Sequence, residues 1–178
     1  MKTIQFSKNR KGSAEFMYKI DKTDLAIISL LMEDGRMPSA EIARQAGNLS
    51  ERVARYRIER LIREGVIKVS AIASPQAVGF TVVADVLLEV ESDSILDVAR
   101  KMAELECVSY VACSIGETDV SVQIVAHDTV EVYRLVTEVI GKVPGVRKTT
   151  TSIVPLVLKD IYQWHIPALS CINETGNK

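Results

Sequence analysis

The stretch that most constrains this chain is residues 50–67, Ser-Glu-Arg-Val-Ala-Arg-Tyr-Arg-Ile-Glu-Arg-Leu-Ile-Arg-Glu-Gly-Val-Ile. Ser50 is a good N-cap, and Gly65 is placed to stop a helix before the β-branched pair Val66-Ile67. At about 100° per residue, Ala54, Ile58, Leu61 and Ile62 fall on one side of that helix. Arg52, Tyr56, Arg60 and Arg63 fall on the other, with Val53, Arg55 and Arg57 at its edges. One face is therefore dry and the opposite face is loaded with arginine. Arginine can contact phosphates or grip guanine in bidentate fashion, and valine or tyrosine can touch a thymine methyl. Ser50, Arg52, Val53, Arg55, Tyr56, Arg57, Arg60 and Arg63 are thus candidate DNA contacts. The alternative is a solvated amphipathic helix whose arginines pair with Glu51, Glu59 and Glu64.

The preceding segment favours the first reading. Asp21 can cap a helix over Lys22–Glu33, with Leu25, Ile28, Leu31 and Met32 facing inward, and Asp34-Gly35 breaks it. Pro38-Ser39 opens a short helix over Ala40–Ala46, with Ile42 and Ala43 on its inner face. Gly47-Asn48 then turns the chain into Ser50. Helix, short helix, glycine turn and basic helix is the helix-turn-helix order, in which the last helix reads bases.

Charge is divided along the chain. Of the 178 residues, the first 74 hold 14 Lys/Arg against 9 Asp/Glu, and the remainder hold 8 against 14. The formal total of −1 conceals this asymmetry, which suits a chain that holds DNA at one end only. The three cysteines, Cys107, Cys113 and Cys171, match no zinc spacing, so no metal or other cofactor is expected. Cys113 lies in an apolar strand and reads as a buried thiol. No apolar leader and no run of membrane-spanning length is visible, so a reducing, cytoplasmic location without membrane contact is expected. Residues 1–19 carry five Lys/Arg among small and polar residues, and read as a flexible basic arm.

The second half has a different period. Val66–Ala73 alternates as a strand leaving the basic helix, and Pro75 and Gly79 mark a hinge over residues 74–79. A strand over Thr81–Glu91, a helix over Ser94–Glu104, strands over Val108–Ile115 and Asp119–Ala126, a helix over Thr129–Lys142 and a strand over Val146–Val157 follow. In the second helix Val132, Tyr133, Val136, Val139 and Ile140 are available to pack. The fold class is α+β, a winged helix-turn-helix (residues 20–73) followed by a ferredoxin-like βαββαβ domain (residues 80–159) and a tail (residues 160–178). Two helices cover one sheet face, and strands 1 and 2 read as apolar on both sides. A homodimer through the open face is therefore expected, and it would present two recognition helices to a palindromic double-stranded site.

Asp21…Asp24, Leu49-Ser50, Arg57-Ile58…Arg60-Leu61, Gly65-Val66-Ile67, Pro75…Gly79, Gly116-Glu117-Thr118-Asp119 and Pro144-Gly145-Val146 stand in an order and spacing that resembles the Lrp/AsnC family of transcriptional regulators. The resemblance runs from about Ile20 to Lys159. It implies a small effector, commonly an amino acid, bound at subunit contacts around Ile115, Gly116, Glu117, Thr118 and Asp119. It also allows tetramers or octamers. Asn48 looks like one extra residue in the turn, and Thr118 stands where the family usually has an aromatic.

Asp119 has two readings. Its carboxylate can bond the amides of a hairpin turn, or it can face the ammonium group of a zwitterion. Thr149 and Thr151 share one face of the last strand and could line the same pocket, or could simply be exposed strand threonines. An enzyme finds little support, since no nucleophile elbow, phosphate-binding loop or close carboxylate pair is present, and His127 begins a helix where it can serve as a cap. A siroheme decarboxylase of the haem pathway shares the architecture and is the alternative. That class carries an arginine pair where this chain has Lys68-Val69.

Overall fold

The computed structural model describes residues 20–166, which form two compact units divided between Ala71 and Ile72. Trp164–Ile166 group with the first.

In the first unit, helix α1 (Lys22–Glu33) starts at a reciprocal capping box. The Asp21 carboxylate accepts from the Asp24 amide at 2.7 Å, and Asp24 accepts from the Asp21 amide at 3.3 Å. Its buried positions are Asp24, Ile27 and Ile28. Periodicity places Leu25 inward, but Ile27 takes the core position and Leu25 is only half-buried. The stripe is rotated toward Asp24 because that carboxylate is drawn inward by a partner on another helix. Helix α2 (Ser39–Gln45) buries Ile42 and Ala43 as expected. Gly47 and Asn48 both adopt positive φ, 119° and 53°, which fits asparagine better than any other non-glycine residue. The Leu49 amide then donates to the Ala43 carbonyl at 2.9 Å.

Helix α3 (Glu51–Arg63) opens on Ser50, whose hydroxyl accepts from the Val53 amide at 3.3 Å. It ends at Gly65, at φ 69°. Ala54 and Leu61 are fully buried and Ile58 is half-buried, whereas Ile62, which the sequence also places on the dry side, is 45% exposed. The expected strand over Val66–Ala73 does not form among the described residues. Val66 and Ile67 instead donate their amides to the Leu61 carbonyl and pack against the first unit's core, so no ladder partner engages that stretch.

The second unit is a four-stranded antiparallel sheet with two helices. Its elements are β1 (Val82–Val90), α4 (Ile95–Ala103), β2 (Val108–Cys113), β3 (Val120–Ala126), α5 (Thr129–Arg134) and β4 (Val146–Val154). The sheet order is β2-β3-β1-β4, the split βαβ arrangement. Helix α5 runs on through a π-helical turn, Leu135–Val139, and a 3-10 turn, Ile140–Lys142. Val132, Val136 and Ile140 are buried, but Tyr133 is 68% exposed and Val139 is 38% exposed, against the expectation that both pack.

Alternation with period two separates the sheet faces. Ala84, Val86, Leu88 and Val90 of β1 and Val120, Val122, Ile124 and Ala126 of β3 meet Val98 and Met102 of α4 in one core. The opposite face is not uniformly apolar, as the sequence suggests for strands 1 and 2. Asp85 lies on it and accepts from Gln123 Nε2 at 3.0 Å, and Glu89 pairs with Lys148 at 2.8 Å. Leu87 and Tyr110 are partly exposed around them. Cys113 is exposed rather than buried, because it is the last residue of the edge strand β2. Cys171 and residues 1–19 lie outside the described residues.

Gly145 closes the entry to β4. Its φ is 95°, its carbonyl accepts from the Glu91 amide at 2.8 Å, and a Cβ there would stand 2.6 Å from the Ser94 Cβ. Gly145→Ala is expected to destabilise the chain by about 1–3 kcal/mol, since it combines left-handed backbone with overpacking. Urea denaturation would show this as a lower midpoint with an unchanged slope.

Candidate DNA-reading face and effector loop

The exposed side of α3 carries Arg52, Val53, Arg55, Tyr56 and Arg63, with Arg60 half-buried beside them. Tyr56 is 57% exposed and Val53 41% exposed, so both side chains are available to a partner. Arg55 pairs with Glu51 at 2.6 Å and Arg63 with Glu64 at 3.3 Å, both at the surface. Such exposed pairs contribute about 0–1 kcal/mol and yield readily to a phosphate. Arg52 has no ion-pair or hydrogen-bond partner among the described residues. Ser50 Oγ is engaged in capping, so the serine's place at this face is the helix N-terminus itself.

Arg57 departs from the sequence assignment. Its Nη1 reaches across to α1 and donates to Asp21 Oδ2 at 2.8 Å and to Asp24 Oδ1 at 2.7 Å. Asp24 is fully buried, and the Arg57 side chain is 24% exposed. Hydrogen bonding to Asp21, then to Asp24, raises the arginine further above its already high range. The Arg57 hydrogen bond, followed by the Asp24 amide, lowers the Asp21 carboxyl below the usual carboxylate range. The structure thus commits one nitrogen of the Arg57 guanidinium to two carboxylates of the fold, one of them fully buried. Asp21 was visible in the sequence as a cap, and Asp24 only as part of the family resemblance. Their partner, 33 and 36 residues away, was not.

In the second unit the loop between β2 and β3 holds Ile115, Gly116, Glu117, Thr118 and Asp119. Ile115 is fully exposed and Thr118 half-buried. Asp119 does not bond the turn amides. Its Oδ2 accepts from the Val90 amide at 2.8 Å, its own amide donates to the Leu88 carbonyl at 2.9 Å, and its carbonyl accepts from Ser114 at 2.9 Å. The carboxylate therefore satisfies β1 where the β1–β4 register shifts between Glu89 and Val90. Its other oxygen has no partner among the described residues.

Thr149 and Thr151 stand opposite Leu88 and Val86, on the helix-covered face of β4. Thr151 lines a cavity of about 260 Å³ with Thr129, Val132, Tyr133, Val136, Thr137 and Ile153. None of the loop residues, nor Thr149, lines that cavity. At the start of α5, Asp128 is the cap rather than His127, accepting from the Glu131 amide at 2.7 Å. His127 contributes its amide and Nδ1 to the Glu131 carboxylate, which lowers that carboxyl, and its ring packs on Phe80 at 4.5 Å. Asp128-x-x-Glu131 is a capping spacing that the sequence offered. Among the described residues no helix is long and apolar enough to cross a membrane.

Comparison with known proteins agrees with this division. Residues 20–68 match the model for winged helix-turn-helix DNA-binding domains, and residues 81–163 match the Lrp/AsnC ligand binding domain. An uncharacterised HTH-type transcriptional regulator of Pyrococcus abyssi is 37% identical over 142 residues, covering 79% of this chain and 89% of the relative. The structure of AsnC from E. coli superposes with a TM-score of 0.74 at 22% identity, covering 82% of this chain and 99% of that one. A transcriptional regulator of Neisseria meningitidis, solved in complex with L-Met, also gives 0.74, at 25% identity over 80% of this chain and 94% of that one.

The depressed Asp21 carboxyl has a pH consequence. A carboxylate whose pKa is lowered in the fold contributes stability above its unfolded pKa and loses it as pH falls through the folded value. Wild type is therefore expected to be more stable than Asp21→Asn at neutral pH. That gap should close on acidification below the normal carboxylate range, as urea midpoints at a series of pH values would show. Asparagine caps as well as aspartate, so loss of the cap does not confuse the comparison.

Proposed function

The chain belongs to the Lrp/AsnC family of DNA-binding transcriptional regulators, with a ligand-binding domain after its helix-turn-helix, and we propose that as a homodimer it reads a palindromic duplex through α3. The observation that carries this reading is the exposed face of α3, where Arg52, without a partner among the described residues, stands with solvent-exposed Tyr56 and Val53. Arg52 takes a guanine edge, Tyr56 and Val53 meet thymine methyls, and Arg55, Arg60 and Arg63 track phosphates. The half-open sheet face supplies the dimer contact. The relatives are transcriptional regulators rather than enzymes, which leaves the decarboxylase alternative without support.

The effector in this proposal is an amino acid or a similar zwitterion. A family member has been solved with L-Met, and in this chain the Asp119 oxygen left over from the Val90 bond is available for an ammonium group. A ligand held there, at a contact between subunits, favours one assembly and so one spacing of recognition helices. Thr149 and Thr151 join such a site only if another subunit brings them to the loop.

Two experiments test the proposal. Footprinting on a duplex selected from a random library should protect two half-sites about one helical turn apart, and Arg52→Ala should cost about 1–3 kcal/mol of preference for the selected over the unselected duplex. A footprint of a single half-site would contradict the dimer, and undiminished preference in the variant would make Arg52 a phosphate contact or a solvated residue. For the effector, a thermal-shift panel of the twenty amino acids should give at least one hit. Asp119→Asn, which can keep the Val90 bond through its carbonyl oxygen, should abolish that hit while remaining folded. A folded variant that still responds would take the ion pair out of the mechanism.

A further inference from the structure

The dry strip of α3 is narrow. Ala54 and Leu61 alone are fully buried, Ile58 is half-covered, and Ile62 at the strip's far edge is exposed. A globular helix normally buries a stripe about 100° wide or more, and a narrower one offers little resistance to rolling about its axis. Rolling would matter here, since one residue step is about 100° and a fraction of it would carry Arg52 and Tyr56 out of line with a base edge. What opposes rolling is directional. Arg57 flanks the strip on the side away from Ile62, and a single guanidinium nitrogen bridges the two carboxylates of the α1 capping box at 2.8 and 2.7 Å. Asp24 is fully buried, so breaking its hydrogen bond to Arg57 carries a desolvation penalty that a surface pair does not.

We propose that Arg57 is a positioning residue for DNA reading, fixing the rotation of α3 against α1 so that Arg52, Val53 and Tyr56 meet base edges together, and that it touches no DNA itself. The inference rests on α3 reading DNA. It differs from a base or phosphate contact in what it predicts. Losing a base contact relaxes preference at one base pair, and losing a phosphate contact weakens all duplexes alike and reduces the salt slope by about one. Loss of the rotational pin relaxes preference across the whole half-site and leaves the salt slope on random duplex as it was.

The experiment uses the full chain, a duplex selected from a random library by wild type, and the unselected library as reference. The variants are Arg57→Gln, Arg57→Lys and Asp21→Asn, each checked for native circular dichroism. In Arg57→Gln the ratio of selected to unselected affinity should fall about tenfold or more, with loss at several base pairs at once. Asp21→Asn, on a different helix, should move the ratio in the same direction by less, and Arg57→Lys should recover part of it. Preference changed at one base pair while Asp21→Asn stays like wild type would overturn the proposal in favour of a base contact. Equal loss on both duplexes with a shallower salt slope would overturn it in favour of a phosphate contact. Should Arg57→Gln fail to fold, Asp21→Asn decides: relaxed preference upholds the pin, and full wild-type preference removes it. If wild type selects no sequence at all, the DNA reading itself fails, which is a separate result.

Discussion

Burial of one carboxylate sets the terms for the DNA-binding unit. Asp24 has no exposure to solvent, and a buried charge persists only when it is paired and hydrogen-bonded. Its partner is Arg57, and the same arginine nitrogen takes Asp21. Both aspartates already cap α1, so one set of charges orders the start of the first helix and its angle to the third. Apolar contacts such as Ile27 with Ile42 and Leu61 bring the helices together without direction. The ion pair adds direction.

The second unit depends on a different constraint, the need to satisfy backbone where strand register breaks. Between Glu89 and Val90 the β1–β4 ladder shifts, and on the other edge, past the last β1–β3 pair Leu88–Val120, the Val90 amide is taken by the Asp119 side chain. Gly145 lies at the same end of the sheet, with its carbonyl on the Glu91 amide. The loop 115–119 is therefore anchored by one carboxylate oxygen, while its tip, with Ile115 fully exposed, projects from the sheet. Anchoring and ligand contact need not compete, because a carboxylate has two oxygens and several acceptor sites.

Much of this was legible in the sequence. The caps at Asp21 and Ser50, the glycine stop at Gly65 and the alternation in β1 and β3 are local signals, and each falls where the residues place it. What failed was non-local or depended on neighbours. Arg57 looks like any other edge arginine until α1 is beside it. Leu25 and Ile62 satisfy helical periodicity but lose their places because Asp24 and Arg57 rotate the packed faces. The burial of Cys113 could not be judged without knowing that β2 is an edge strand, and Asp85 and Gln123 form their hydrogen bond only once β1 and β3 are paired. The strand expected over Val66–Ala73 has suitable residues but no neighbour to ladder with among the described residues. For the DNA face the residue types were readable, and their division of labour was not.

That division follows from how firmly each arginine is held. Arg57 is bound to a buried carboxylate, and breaking that bond carries a desolvation penalty. Arg55 and Arg63 are held only by surface glutamates, whose attraction is small in water and smaller in salt, so a phosphate can displace them. Arg52 has no partner to surrender among the described residues, which in the proposed reading frees it for a base edge. In the proposed reading, counting arginines therefore overstates the electrostatic contact of this helix, because log affinity falls with log salt by about 0.9 for each phosphate neutralised and Arg57 is engaged by Asp21 and Asp24. It understates the specificity, because the arginine withdrawn from the surface is the one that holds the others in register.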